Sequence, residues 1–576
     1  METRGVMEEP TIFEKFWRWR LRESPEFATA IGIHTFDEYL DNLSASAFER
    51  RVEEVTSLLS ELIKEKTKCV DKQLLMNYNL LQSEIEQYLE GMKFKSFLFP
   101  LNQLEGPHVD FPRLISWMKT ETVDDYRKIL ARFELFPVQI EQLIELLRQG
   151  VQDHFTMAAE SIVSVPKMLM AAANTPIKDS RLFKPFLNFP HTIDKKEQEK
   201  LQASSEKLLA EKVFPSYLKI AKFLEKEYIL YVREKPGVGC LKHGLKYYQE
   251  CLNFHTSTSL TPEEIHSIGN REVNQIKEKM KKVMKKVGFV GNLQAFQHFL
   301  KSEPQFHFKD EADIFSTYKK IASKIKPLLC QVVKHVPSQS YVIEPVPKDV
   351  APGYPGAYYL NPSIDGTRPG TFYLNTYKVE ERSNIECVSL SLHEAEPGHH
   401  LQCCYAMEQK ELPDFRRYIE DRVYYQAPGR FALNTAYLEG WGLYSEYLGE
   451  ELGLYENQYE FYGRLSHEML RACRLVVDTG VHAMNWSRQD CIDYMSQNTA
   501  MAQTDIIAEV DRYITWPGQA CAYKIGEIKI KQLRLKAQEQ LGEKFDVKDF
   551  HGLILSLGAV PLKVLEEAVD KYINQA

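Results

Sequence analysis

The run His393-Glu394-Ala395-Glu396-Pro397-Gly398-His399-His400 places three imidazoles and two carboxylates within eight positions, directly after the largely apolar residues 387–392. A zinc hydrolase needs neutral imidazoles on the metal, a carboxylate base beside the attacking water, and usually a third ligand from elsewhere in the chain. His-Glu on a helix supplies one ligand and the base, as in HExxH, where the second His follows one turn later. The spacing here differs. At about 100° per residue His399 projects about 120° away from His393, whereas His400 shares its face but sits roughly 10 Å along the axis. A straight helix therefore brings neither to the metal. Pro397 cannot donate to the carbonyl of His393 and Gly398 admits unusual dihedrals, so a kink or bulge is expected between the two sites. Such a bulge lets His399 take the second ligand position, with His400 as the competing candidate.

A second segment offers the missing ligand. Glu439 and Glu446 lie seven apart in residues 434–446 and so share a helix face. Glu439 stands among apolar and small residues, where an unpaired carboxylate is costly and a metal offsets the cost. It is the candidate third ligand for one Zn2+ ion, and Glu446 the candidate that orients an imidazole. Further on, Arg474, Asp478 and His482 form a polar line at i, i+4 and i+8 on an otherwise apolar helix. Asp478 can hold the proton orientation of His482, leaving that imidazole to donate to an oxyanion. In residues 511–524, Tyr523 is a second candidate oxyanion donor, and Arg512 or Lys524 can hold a substrate carboxylate. Two imidazoles and one carboxylate also suit non-haem iron, and the same residues can form a purely structural polar core in a non-catalytic helical binding protein.

The elements that must position these groups are mostly helical. Residues 46–66 and 195–233 carry apolar residues at spacings of three and four between charges. Thr261-Pro262-Glu263-Glu264 is a helix start, and the helix is expected to run to about Val287. Its lysines, 277, 279, 281, 282, 285 and 286, are expected on a solvated outer face, opposite a stripe of Ile276, Met280, Val283 and Val287. At 340–377 the texture changes to short β-branched and aromatic runs, YVIEPVP, GAYYLNP and TFYLNTY, separated by Pro-Gly-rich turns. The reading is a mainly α body with one small sheet beside the metal helix. With no repeat or low-complexity linker between the halves 1–335 and 336–576, residues 1–576 are read as a single catalytic unit.

The chain has 576 residues, 44% apolar and 26% charged, an ordinary globular composition. Its 72 basic and 80 acidic residues leave a net charge of -8, which argues against a nucleic-acid partner. No run of 18 apolar residues argues for a membrane span. The ten scattered cysteines form no CxxC pair, and the first residues do not read as a secretory signal, so a cytoplasmic protein with free thiols is expected.

At HEAEPGHHLQ the sequence resembles the family of domain of unknown function 885, grouped with gluzincin-like zinc peptidases. The likeness extends through FWRWRLRESPEFAT, HTSTSLTPEEIH, DGTRPGTFYLNT, EGWGLYSE and RYITWPGQACAYKIGE. It implies a predominantly helical fold with a deep central channel, similar to the helical oligopeptidases, and a small sheet flanking the metal helix. It further implies zinc held by His393, His399 and Glu439, with Glu394 as general base toward a water that attacks a peptide carbonyl. His482 and Tyr523 are then the oxyanion donors. The segment 353–376 holds an extended peptide by edge pairing, with Tyr358 and Arg368 as substrate contacts.

Overall fold

Capping residues decide where the long helices start. The computed structural model describes residues 10–348, 350–351 and 356–575. Within them, Ser44 accepts from the amide of Ala47 to open α1 (Ala45–Lys66), whose last turn carries Lys64 and Lys66 beside the free carbonyls. After α2 (Lys72–Met92), Thr122 and Asp125 cap one another reciprocally at the head of α3 (Val123–Gln152). The segment from 195 is helical to Lys226 and closes in a short turn at Tyr228–Tyr231. The same capping box, Thr261 with Glu264 and Pro262 in the first turn, opens α4 (Pro262–Lys286), one residue short of the expected end.

The sheet has three strands, β1 (Tyr341–Pro345), β2 (Ala357–Leu360) and β3 (Gly370–Leu374), in the order β1-β3-β2. β3 runs parallel to β1 and antiparallel to β2. It is the most buried strand because both its edges are paired. Residues 352–355, which include most of the expected Pro-Gly-Tyr-Pro-Gly turn and the start of the 353–376 segment, lie outside the described residues.

Six helices then build the candidate site: α5 (Cys387–Glu394), α6 (His399–Glu408), α7 (Thr435–Glu451), α8 (Gln458–Ala483), α9 (Gln503–Thr515) and α10 (Ala522–Leu541). The apolar stripe Ile276, Met280 and Val283 of α4 packs with Leu465, Met469 and Ala472 of α8. Five of the six lysines of α4 face solvent and Lys277 is half-buried, as expected of an outer face. The largest apolar cluster draws residues from Ile12 to Val569, and so from both halves of the chain. Between the helices lies a cavity of about 600 Å³. Leu104, Glu105 and Arg113 line it from the first half, and Tyr358, His393, Glu394, Glu439 and Tyr523 from the second. The fold is mainly α, with the small sheet beside the helix that carries His393.

Candidate metal centre

α5 is an apolar helix, with Cys387, Val388 and Leu392 buried, that ends on His393 and Glu394. The chain then leaves helical geometry at Ala395 (φ −102°, ψ −103°) and Gly398 (φ −74°, ψ −132°), and α6 begins at His399. A Cβ on Gly398 would stand 1.8 Å from the carbonyl oxygen of His393, so only glycine lets the chain fold back this tightly over the end of α5. This is the interruption expected from Pro397-Gly398. It lets an imidazole six positions on meet the one at 393, and the two rings stand 4.8 Å apart, nearly perpendicular.

Glu439 and Glu446 share a face of α7, and both address His393. Nδ1 of His393 lies 2.8 Å from Oε1 of Glu446, while its Nε2 lies 3.3 Å from Oε2 of Glu439. Despite burial, Arg471 and His467 hold Glu446 well below the usual carboxylate range, so it is ionised and keeps the His393 proton on Nδ1. Nε2 is left as the nitrogen that could ligate a metal. Gly442 lies beneath this ring, where a Cβ would stand 2.8 Å from the imidazole. Nε2 of His399 is 3.4 Å from the same Glu439 oxygen.

One donor atom from each of His393, His399 and Glu439 lies within 4.8 Å of the others. A tetrahedral zinc site with donors about 2.1 Å from the ion has edges of about 3.4 Å, close to the 3.3 and 3.4 Å separations from Glu439 to the two histidines. The donor set therefore fits a divalent ion. Its own electrostatics point the same way. Burial would lower His399, yet Glu439 beside it raises that imidazole to about 9. Burial would raise Glu439, yet His393 and His399 hold it well below the carboxylate range. Without metal, a proton on His399 supplies the positive charge that this carboxylate needs.

Glu394 lines the cavity next to this triad, and among the described residues no hydrogen bond or ion pair ties up its carboxylate. Tyr523 also lines the cavity, its ring stacked 6.5 Å from that of His393. Burial and the charge of Glu439 push its phenol to about 12, so the hydroxyl keeps its proton at neutral pH. Tyr358 lies on the same wall, stacked on Tyr373 at 4.8 Å.

Several candidates stand elsewhere. His400 points to the sheet, with Nδ1 2.8 Å from the Tyr359 hydroxyl and Nε2 3.1 Å from the Gln339 carbonyl, so it is not a ligand of this cluster. His482 is buried off the cavity: its Nδ1 accepts from the Val238 amide at 3.1 Å and its Nε2 donates to the Tyr513 carbonyl at 2.9 Å. Neither nitrogen is available to an oxyanion. Asp478 does not orient it, accepting instead from Tyr248 and the Gly518 amide, and burial raises its carboxyl to about 7. Lys524 is enclosed by Glu468, Glu527 and Glu272. Arg368 donates to the carbonyls of Ala30 and Asn361 and stacks over Trp117. Arg512 reaches the cavity wall, but all three nitrogens are bonded to Glu509 and Gln519. Each of these groups has the chemistry expected of it, but packing supplies it with other partners.

Sequence reasoning passed over His467 and Arg471 and placed Arg474 in a different line, with Asp478 and His482. His467, Arg471 and Arg474 lie at i, i+4 and i+7 on α8, the spacing of one polar stripe on a buried helix, and that period was the signal that could have found them.

Together these features define a large helical protein whose cavity is walled by a His-His-Glu cluster that could hold a metal ion, with a carboxylate beside it that has no partner among the described residues. The chain belongs to the family described as "Bacterial protein of unknown function (DUF885)", whose model matches residues 25–569. It is similar to a crystal structure described as "the putative lipoprotein from Colwellia psychrerythraea", with 27% identity, a TM-score of 0.91 and 98% of each chain covered. A protein described as "a putative lipoprotein of unknown function from Shewanella oneidensis" shares the fold at 17% identity and a TM-score of 0.69, over 97% of this chain and 99% of the other. No curated protein matches the chain. Among the described residues, no helix is long and apolar enough to cross a membrane.

Proposed function

We propose that this protein is a zinc-dependent hydrolase of amide bonds, a gluzincin-like metallopeptidase acting on short peptides. The observation that carries the proposal is the triad His393, His399 and Glu439 on a cavity wall, its donor atoms within 4.8 Å of one another and Glu439 at tetrahedral-edge distance from both histidines, with Glu394 uncommitted beside it among the described residues. A bound zinc ion supplies Lewis acidity, polarising a carbonyl and making water more acidic. Glu394 takes a proton from the attacking water and passes it to the leaving amine. Tyr523, protonated at neutral pH, donates to the developing oxyanion. Glu446 holds the His393 proton on Nδ1. The edge strand β2, with Tyr358 on the cavity wall, offers its backbone to an extended peptide. The ten free cysteines support a cytoplasmic setting.

Metal analysis of the purified protein with two variants tests this. His393→Ala is expected to lose zinc. Glu394→Gln is expected to keep zinc and to lose roughly 10²–10⁴-fold in peptide turnover, the usual contribution of a general base. Protein that binds no zinc, or that carries iron instead, sinks the assignment. So does full turnover by Glu394→Gln.

A further inference from the structure

The cavity wall beside Tyr523 carries two guanidiniums with incomplete hydrogen bonding. Arg471 and Arg474, three residues apart on α8, both line the cavity and are each only 6% exposed. Arg474 donates through Nε to the Tyr513 hydroxyl at 3.0 Å and through Nη2 to Glu509 at 2.7 Å, while its Nη1 is buried without a partner. Arg471 is held more loosely. Its Nη1 reaches the His467 carbonyl only at 3.4 Å, its Nη2 stands 3.7 Å from Glu446, and its Nε has no partner.

A buried guanidinium with unmet donors is unfavourable, and a carboxylate, planar with two acceptor oxygens, matches its fork. The protein's own carboxylates do not complete the pair. Glu446 gives Oε1 to His393, its Oε2 stands 3.4 Å from His467 and hydrogen-bonds to neither arginine, and Glu509 is shared by Arg512, Tyr513 and Arg474. Three guanidiniums, Arg471, Arg474 and Arg512, thus share two carboxylates, and only Arg512 has every nitrogen bonded. The position matters as much as the charge. The Tyr523 ring stacks at 6.5 Å from His393 on one side and lies 4.4 Å from the Arg474 guanidinium and 6.0 Å from that of Arg471. These separations put the guanidiniums within reach of the end of a short peptide whose amide lies at the triad, each extended residue spanning about 3.3–3.6 Å.

We infer that Arg471 and Arg474 form a receptor for a substrate carboxylate, so that the amide bond cleaved lies one or two residues from that carboxylate and the enzyme removes the C-terminal end of short peptides. The inference rests on the peptidase reading for the bond broken, but the receptor itself is testable without zinc.

Calorimetric binding to the metal-free protein of three blocked ligands provides the test: N-acetyl-Phe-Ala with a free carboxylate, its C-terminal amide, and N-acetyl-Phe-Glu amide, whose only carboxylate is on a side chain. The free acid is expected to bind at least tenfold more tightly than its amide, about 1.4 kcal/mol. A preference for the Glu amide instead moves the carboxylate to a side chain and overturns the C-terminal assignment. Equal binding of all three overturns the receptor.

Arg471→Met and Arg474→Met are each expected to remove most of the preference, with Arg474→Lys restoring part of it. If both folded Met variants discriminate as the native protein does, the receptor lies elsewhere. Arg474→Met also strips Glu509 of a partner, so if it does not fold, Arg471→Met and the native ligand series decide. With zinc restored, equal cleavage of the free acid and the amide overturns the receptor and leaves the peptidase reading standing. Preferential binding without any cleavage does the reverse.

Discussion

Around His393 two carboxylates, Glu439 and Glu446, address the two ring nitrogens, and the ring lies on a cavity wall. Around His482, one turn after Asp478, both ring nitrogens are bonded to backbone and the ring is not on the wall of that cavity. The two regions look alike as sequence, each a histidine and an acidic residue on a mostly apolar helix. Their electrostatics are opposite. His399, beside Glu439, is raised to about 9, whereas burial without a facing carboxylate lowers His482 to about 3. A buried histidine becomes a candidate ligand when a carboxylate faces it and a nitrogen is left over. When the backbone uses both nitrogens it is a structural tie.

The largest effect that can break this contrast is ligand loss. His399→Ala is expected to take bound zinc from about one ion per chain to almost none, while His400→Ala keeps it, because the His400 nitrogens face Tyr359 and Gln339. Metal analysis that reverses the two results inverts the assignment.

The second effect is on orientation. Glu446→Gln and Gly442→Ala leave all three donors in place but disturb the His393 ring, and each is expected to weaken zinc binding by about 10–100-fold in chelator competition. Unchanged affinity in both means that the ring is positioned by something else.

The third is pH. The His399 imidazole is raised above its ordinary 6.5 to about 9 in the metal-free protein, so zinc must displace one proton below that value. Affinity is expected to rise about tenfold per pH unit between pH 6.5 and 9. The stability of the metal-free protein moves the other way: the protonated pair with Glu439 contributes fully below pH 6.5 and is lost as pH rises through about 9. A flat affinity profile over that interval rules out this proton.

The smallest effect lies at the other cluster. His482→Ala strands the Val238 amide and the Tyr513 carbonyl, and is expected to lower stability by about 1–3 kcal/mol in thermal unfolding, with zinc content unchanged. Loss of zinc in a folded His482→Ala protein would return this residue to the site.

Much of the fold was open to reading because its signals are local. Thr261 with Glu264, the alternation of apolar and charged residues in 46–66, and the turn residues 365–370 between β2 and β3 each determine a structure within a few residues of themselves. The same holds for the heart of the site. A spacing of seven positions places Glu439 and Glu446 on one helix face, and Pro397-Gly398 breaks the helix between His393 and His399.

What spacing could not settle is which polar face meets the cavity and which meets another chain segment. His482 finds its amide donor 244 residues away, and Lys524 one of its carboxylates 56 residues away. Arg471 and Arg474 keep spare donors because the helices around them place no acceptor within hydrogen-bond reach of those nitrogens. Helix periodicity assigns a side chain to a face. The assembly of distant helices determines whether that face is satisfied by protein or left open for a ligand, since burial makes every unmet donor costly and only the packed chain determines which donors are met.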